Sequence, residues 1–307
     1  AGAGDGGVGA GHKMTSTPRL PPEEFSYIGR PAETFEGRWA AIEKALSAIF
    51  GGAAFTLVDV GSNHGYFSLR AALCFPSVEV VGVEGSVGIG NGAVGASTRS
   101  VAHIAATSAI RTHLDWIGKL GLSNCFVAPE VWDFDYVLNL CKAGFRADAM
   151  LELSVVHHID GICGAGYSRA GLGQVEGSLA LIAGILRLAD VHVLELPDRP
   201  WLEHLHDRFG SPRGIIDAAA ALTGEAWDLE KLYSNEWLGT RELWLLRSRC
   251  PRRSAKTSFR SFFPLLLPCD DLEALADDGA LGERADAGGD SPAVPGDAAF
   301  ASQVLTG

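Results

Sequence analysis

The segment Leu57-Val58-Asp59-Val60-Gly61-Ser62-Asn63-His64-Gly65-Tyr66-Phe67 carries the strongest chemical signal in the chain. An apolar run enters a turn with two glycines, and a helical pattern follows at once. The backbone can therefore approach a ligand closely, and amides at the helix start can face it. The spacing D-x-G-x-x-x-G is not the G-x-G-x-x-G of a pyrophosphate cradle, so it favours a ligand without phosphate. Glu84 ends the next apolar run, 23 residues after Gly61. At that distance a carboxylate can accept two hydrogen bonds from ribose hydroxyls.

Three further groups of residues are candidates for chemistry. His157 and His158 are expected at the C-terminal end of a strand, where open α/β sheets place their ligands. Either one of them serves as a general base near neutral pH, or both pack locally and shape a pocket. Neighbours on an extended chain point to opposite faces and no third ligand supports them, so no metal is expected. Glu195, followed by Pro197-Asp198-Arg199-Pro200-Trp201, is expected at the same rim, where an acid and an aromatic wall would orient a substrate. Turn chemistry explains Pro-Asp-x-Pro equally well. Arg247, Arg249, Arg252, Arg253, Lys256 and Arg260 follow one another without an intervening acid, a cluster able to bind the phosphates of RNA. Neutralisation by the acidic tail, or plain solvation, is the simpler reading. Tyr27, Ile28 and Phe35 would form a lid or pack on the sheet edge.

The elements that must position these residues alternate along the chain. Strands are predicted at 55–60, 78–83, 124–128, 147–156 and 191–196, and helices at 39–50, 66–73, 101–120, 135–142, 175–188 and 215–222. Two closing strands, 227–234 and 242–247, are joined by a turn near Gly239 too short for a parallel crossover. The expected fold is α/β: a doubly wound, seven-stranded, mostly parallel sheet with an antiparallel last strand and helices on both faces. Residues 1–24, rich in Gly and then Pro, are expected to be a flexible leader, 25–267 the single domain, and 268–307 an acidic, Gly/Ala/Pro-rich tail with a short helix at 272–281.

Composition narrows the function classes. Hydrophobic residues are 47% and charged residues 20%, enough for a sizeable core. The net charge of −12 is concentrated at the end: residues 270–307 hold nine Asp/Glu and one Arg, which leaves −4 for the rest. A nearly neutral body gives no general affinity for nucleic acid. Six cysteines without a C-x-x-C pair signal neither a zinc ribbon nor a disulfide framework. No run approaches the roughly 18 apolar residues that a membrane span needs, and no membrane contact is expected. The first 20 residues lack a secretory pattern, so a cytoplasmic location is expected, with an upstream targeting signal left open because the chain begins at Ala1.

These motifs resemble those of the class I S-adenosylmethionine-dependent methyltransferase superfamily. Asp59-Val60-Gly61-Ser62-Asn63-His64-Gly65 is similar to its first motif, D-x-G-x-G-x-G, with Asn63 where the middle glycine usually sits, and Val80-Val81-Gly82-Val83-Glu84-Gly85-Ser86 is similar to the second. The resemblance implies that the loop 61–65, including Ser62, lies under the amino-acid part of S-adenosylmethionine. It further implies that Asp59 helps hold the ammonium end through that loop and that Glu84, with Gly85 beside it, binds the ribose. Pro129-Glu130-Val131-Trp132-Asp133 stands where the family contacts the adenine, with Glu130 preferred to Asp133. Leu151-Glu152-Leu153-Ser154-Val155-Val156-His157-His158-Ile159 looks like the family's S-x-L-H-H segment and brings Glu152 and Ser154 into the implied cofactor set. Similarity of order and spacing runs from about Phe35 to Arg249; Leu188-Ala189-Asp190 departs from the Pro-Gly-Gly turn common before strand five.

The implied function is methyl transfer from S-adenosylmethionine to an oxygen or nitrogen on a small molecule. RNA, bound through the basic cluster, is the alternative acceptor. Other classes would be an NAD-dependent oxidoreductase, which the missing G-x-G-x-x-G disfavours, or a cofactor-binding module without turnover. No N-P-P-Y or D-P-P-Y tetrad follows strand four, which argues against an adenine-type DNA methylase.

Overall fold

The computed structural model describes residues 20–25, 30–85, 107–237, 239–251, 259–263 and 265–268. Seven strands form one sheet: β1 (Phe55–Val60), β2 (Val78–Val83), β3 (Cys125–Ala128), β4 (Ala147–Leu153), β5 (Ala189–Pro197), β6 (Trp227–Asn235) and β7 (Arg241–Ser248). Their spatial order is β3-β2-β1-β4-β5-β7-β6, with β7 antiparallel to both of its neighbours and the other pairs parallel. This is the sheet the sequence led us to expect. The strand order reverses between β1 and β4, and a crevice at the carboxyl ends of the strands follows from that reversal.

The central strands are buried on both faces, as a parallel sheet between two helical layers requires. Side chains alternate: Leu57, Ala149, Leu151 and Val193 enter one core, while Val58, Val60 and Met150 enter the other. The first core is closed by α2 (Ala32–Phe50), α3 (Tyr66–Cys74) and α4 (Ser108–Leu120). The second is closed chiefly by α5 (Phe134–Lys142) and α8 (Gln174–Leu186). Every residue of α8 from Gly177 to Leu186 is buried, which explains why its sequence is apolar on all sides. Asp133 caps α5 by accepting the Tyr136 N–H at 2.9 Å.

Four short helices escaped the sequence reading: α1 (Pro22–Phe25), α6 (Val156–Ile162), α7 (Gly164–Arg169) and α9 (Glu203–Phe209). All have seven residues or fewer, too few turns for a hydrophobic period to show. A longer helix, α10 (Pro212–Leu222), starts three residues earlier than expected because Ser211 accepts the Gly214 N–H and Pro212 occupies the first helical position. At the end of the expected leader, Leu20 and Pro22 are buried with Phe25, while Glu23 and Glu24 are exposed. Tyr27, Ile28, most of the leader, the tail and its expected helix lie outside the described residues.

Candidate functional site

The turn after β1 is tied down by its own backbone. Gly61 and Ser62 N–H both donate to Val83 O, at 2.8 and 3.0 Å, and Gly65 N–H donates to Ser62 O at 2.9 Å. Asn63 N–H donates to Glu84 Oε2 at 2.6 Å. The loop amides of Gly61, Ser62 and Asn63 thus hold the loop against the end of β2, and at the helix start the Ser68 backbone is hydrogen-bonded to Asp59. Such a loop offers shape and close approach, not a nest for phosphate. Two glycines are required by contact. A Cβ on Gly61, at φ +69°, would lie 2.5 Å from Val155 Cγ2, and one on Gly65, at φ +89°, would lie 2.2 Å from the His113 ring. His113 is fully buried beneath the loop, and burial pushes its pKa down to about 3, so the loop rests on a neutral ring.

Gly61 stands between two depressions at the carboxyl ends of the strands. The first, of about 420 Å³ and open to solvent, has apolar walls from Val60, Val83, Val131, Ile159 and Ile162, with Glu84, Gly85, Glu130, Trp132 and His158 around them. The second is lined by Asp59, Ser62, Asn63, Arg30, Arg38 and the rings of Phe25, Phe35, Tyr66 and Phe67. Of the residues expected to bind a cofactor, Glu84, Gly85, Glu130 and Val131 line the first depression, Asp59, Ser62 and Asn63 the second, and Gly61 both. Gly65, Glu152 and Ser154 lie outside both linings. Asp133 is spent on its helix cap, which leaves Glu130 as the acid of that segment at the cavity.

Glu152 and Glu195 occupy different positions from those expected. Glu152 Oε1 lies 2.7 Å from His192 Nδ1 in the core between β4 and β5, where 1% of its side chain is exposed, so it holds strands together. Glu195 does not reach the rim. Its Oε2 accepts from Arg38 Nη1 at 3.0 Å and from the Ser154 hydroxyl, and its Oε1 accepts from Asn235 Nδ2 at 3.3 Å. Burial pushes this carboxyl up, but Arg38, Arg30, the Ser154 hydroxyl and Arg241 outweigh it and hold the group below its usual value. A carboxylate fixed in this way supports the site from beneath.

The histidine pair also differs from expectation. Ser154, at φ +58°, turns the chain out of the sheet, so the strand ends at Leu153 and His157 and His158 lie on α6. Their rings are 4.1 Å apart, and Trp201 packs 4.8 Å from His157. Opposite orientation on an extended chain therefore does not apply. Burial, His158 and then Arg241 and Arg30 push His157 down to about 2; burial and the same arginines push His158 down. Both rings are neutral near pH 7 and are weak bases, which favours the pocket-shaping reading.

Arg30, Arg38 and Arg241 were not singled out from the sequence. Arg38 had a signal: it stands in the apolar stripe Phe35, Arg38, Trp39, Ile42, at spacings of three and four. The basic cluster is only partly described. Arg249 Nε pairs with Asp228 Oδ1 at 2.7 Å and Arg247 Nη2 reaches Asp228 Oδ2 at 3.9 Å, so one carboxylate of β6 is shared between two guanidinium groups. Arg252, Arg253 and Lys256 lie outside the described residues. A Ser-His-Asp set also occurs. His204 Nε2 meets Ser178 Oγ at 2.8 Å and Asp160 at 3.6 Å, so one nitrogen faces both partners. A relay needs two nitrogens in series; this group ties α6, α8 and α9 together.

No protein-family model matches the chain, and no curated protein matches it. Several solved structures are similar to part of it. One is the bifunctional kinase-methyltransferase WbdD, at 15% identity and a TM-score of 0.46, covering 72% of this chain and 43% of that one. The chain thus spans less than half of WbdD. A second is magnesium protoporphyrin IX methyltransferase (ChlM) from Synechocystis PCC 6803 with bound SAM, at 15% identity and 0.43, covering 70% and 81%. A third is the methyltransferase domain of bacterial CtHen1-C, at 12% identity and 0.42, covering 69% and 98%.

Proposed function

We propose that the chain is an S-adenosylmethionine-dependent methyltransferase acting on an oxygen or nitrogen of a small molecule. The observation that carries this reading is the pair of depressions that share Gly61, one with apolar walls and the other lined by an acid and a guanidinium, Asp59 and Arg38. The residues fit the cofactor. Val83, Val131 and Ile159 suit an adenine face, Glu84 and Glu130 suit its hydroxyl and amine donors, and Asp59 with Arg38 suits an amino-acid end. Two buried atoms at that end, Ser62 Oγ and Arg38 Nη2, have no hydrogen-bond partner among the described residues.

The bound cofactor would supply an electrophilic methyl group on a sulfonium. The chain's own task is alignment and exclusion of water. Holding two reactants in line is worth up to about 7–11 kcal/mol, and an apolar wall favours a reaction that disperses charge. Burial holds both histidines below their usual range, so an acceptor that is already ionised or is a neutral amine suits the site best.

Calorimetry with S-adenosylmethionine and its demethylated product, S-adenosylhomocysteine, tests the reading. Gly61→Arg, which forces a side chain into Val155 at a positive φ, is expected to weaken binding at least about a hundredfold, or ~3 kcal/mol, in a protein shown by circular dichroism to be folded. Wild-type heats in that variant would refute the site.

A further inference from the structure

We propose that His113 is a positioning residue for the cofactor loop: the ring touches no ligand, yet it sets the height of residues 61–65 and thereby their grip on S-adenosylmethionine. The inference rests on the methyltransferase reading above and adds a residue outside every motif of the site. Two glycines from different elements close on this one ring. A Cβ on Gly65 would fall among Cγ, Cδ2 and Nε2, and one on Gly82, in β2, would lie 2.7 Å from Cε1. The ring is therefore reached from two sides and forms a wedge between the loop and the sheet. Ser62 rests over the same point, since the Gly82 Cβ would also lie 2.8 Å from its Oγ and 3.0 Å from its Cβ.

Gly65 shows what the ring does. A glycine that serves a ligand stands where the ligand approaches, but Gly65 lines neither depression. Its missing side chain makes room for His113 instead. The ring is also held from β3: Nε2 lies 3.7 Å from Cys125 Sγ, at the start of that strand, so α4, β2, β3 and the loop all meet on it. His113 stands among Ala109, Ile110 and Ile117 on the buried face of α4, where an apolar side chain would bury no polar atom. The chain instead buries a ring whose Nδ1 has no hydrogen-bond partner among the described residues. Such a nitrogen costs stability, and departures of this kind from the local pattern are found at functional positions.

The test is affinity for S-adenosylhomocysteine by calorimetry, set against urea unfolding of the ligand-free protein. His113→Ala is expected to weaken binding at least about tenfold in protein shown by circular dichroism to be folded. Gly82→Ala, which presses on the ring and on Ser62 together, is expected to weaken it by a similar factor. With both changes in one chain the combined loss is expected to fall short of the product of the two, because removing the ring makes room for the new methyl group. A ring that only fills the core would lower the unfolding midpoint and leave affinity within about twofold of wild type, and that result overturns the proposal. Losses that multiply in full also overturn it. Should His113→Ala not fold, the unaltered chain decides: the carbon-bound ring proton signals of His113 in nuclear magnetic resonance are expected to shift when S-adenosylhomocysteine is added, and signals that stay in place overturn the proposal. Absence of any heat with the wild-type protein removes the methyltransferase reading itself; a wild type that binds, with variants that bind alike, removes this inference alone.

Discussion

Asp59 and Glu195 are both fully buried carboxyls near the carboxyl ends of parallel strands, and Arg38 acts on both, yet their charge states diverge. Burial pushes Asp59 up to about 7, against the hydrogen bonds of Ser68 and the weaker pull of Arg38. Burial also pushes Glu195 up, but three arginines and the Ser154 hydroxyl turn the balance and keep it ionised. Burial sets the size of the penalty, and neighbours decide which protonation state bears it. The consequence is functional. Asp59 can lose a proton when a cation arrives in the depression it lines, whereas Glu195 is a fixed charge that organises arginines.

Removing Arg38 is the hardest test of that contrast. Arg38→Met leaves Glu195 buried with its ion pair broken, and the expected cost is about 3–5 kcal/mol in urea unfolding. Arg38→Met with Glu195→Gln is expected to recover much of that loss, since the uncompensated charge is then absent. A single substitution that costs less than about 1 kcal/mol would mean that Arg30 and Arg241 already satisfy Glu195 without it.

The next test is the direction of pH dependence. A carboxyl whose folded pKa is raised keeps its proton in the native state while the unfolded chain releases it. Asp59 therefore makes stability decline as pH rises from 3.8 towards about 7, and the decline levels off above that. Its full amplitude is at most about 4 kcal/mol, from three pKa units at 1.36 kcal/mol each. Asp59→Asn is expected to flatten that decline. Glu195 runs the other way: with its folded pKa lowered, its contribution is present above the unfolded value and lost as pH falls through the folded one. Glu195→Gln should remove an acid-side loss. Stability curves of the two variants, each subtracted from wild type, should have opposite slopes, that of Asp59 between pH 3.8 and about 7 and that of Glu195 below pH 4.5; slopes of one sign would contradict the contrast.

The same distinction explains what could be read from sequence. Asp59, Gly61, Gly65 and Glu84 declared themselves because their spacing is fixed by a local strand-turn-helix geometry, and β1 and β2 were bounded correctly for the same reason. The arginine cluster joins positions 30, 38, 154, 195 and 241, and no local period links residues so far apart. Glu195 and Glu152 were placed on the correct strands, but their side chains meet partners that only the assembled sheet supplies. The histidines were misplaced by a single backbone feature: a left-handed serine ended a strand that β-branched Val155 and Val156 otherwise prolong.

Glu84 lies between the two extremes and gives the smallest expected effect. It is 5% exposed, lines the first depression, and accepts the Asn63 amide, so it both shapes the loop and faces that depression. Glu84→Ala removes both roles, and Glu84→Gln keeps an acceptor for Asn63 while removing the charge. If the carboxylate binds ribose hydroxyls, Glu84→Ala should weaken S-adenosylhomocysteine binding by about 1.5–3 kcal/mol, with Glu84→Gln recovering part of it. If its role is only to hold the loop, Glu84→Gln should bind like wild type. Calorimetry on the three proteins separates these outcomes, because the loop's need is for an acceptor and the ligand's preference is for a charge.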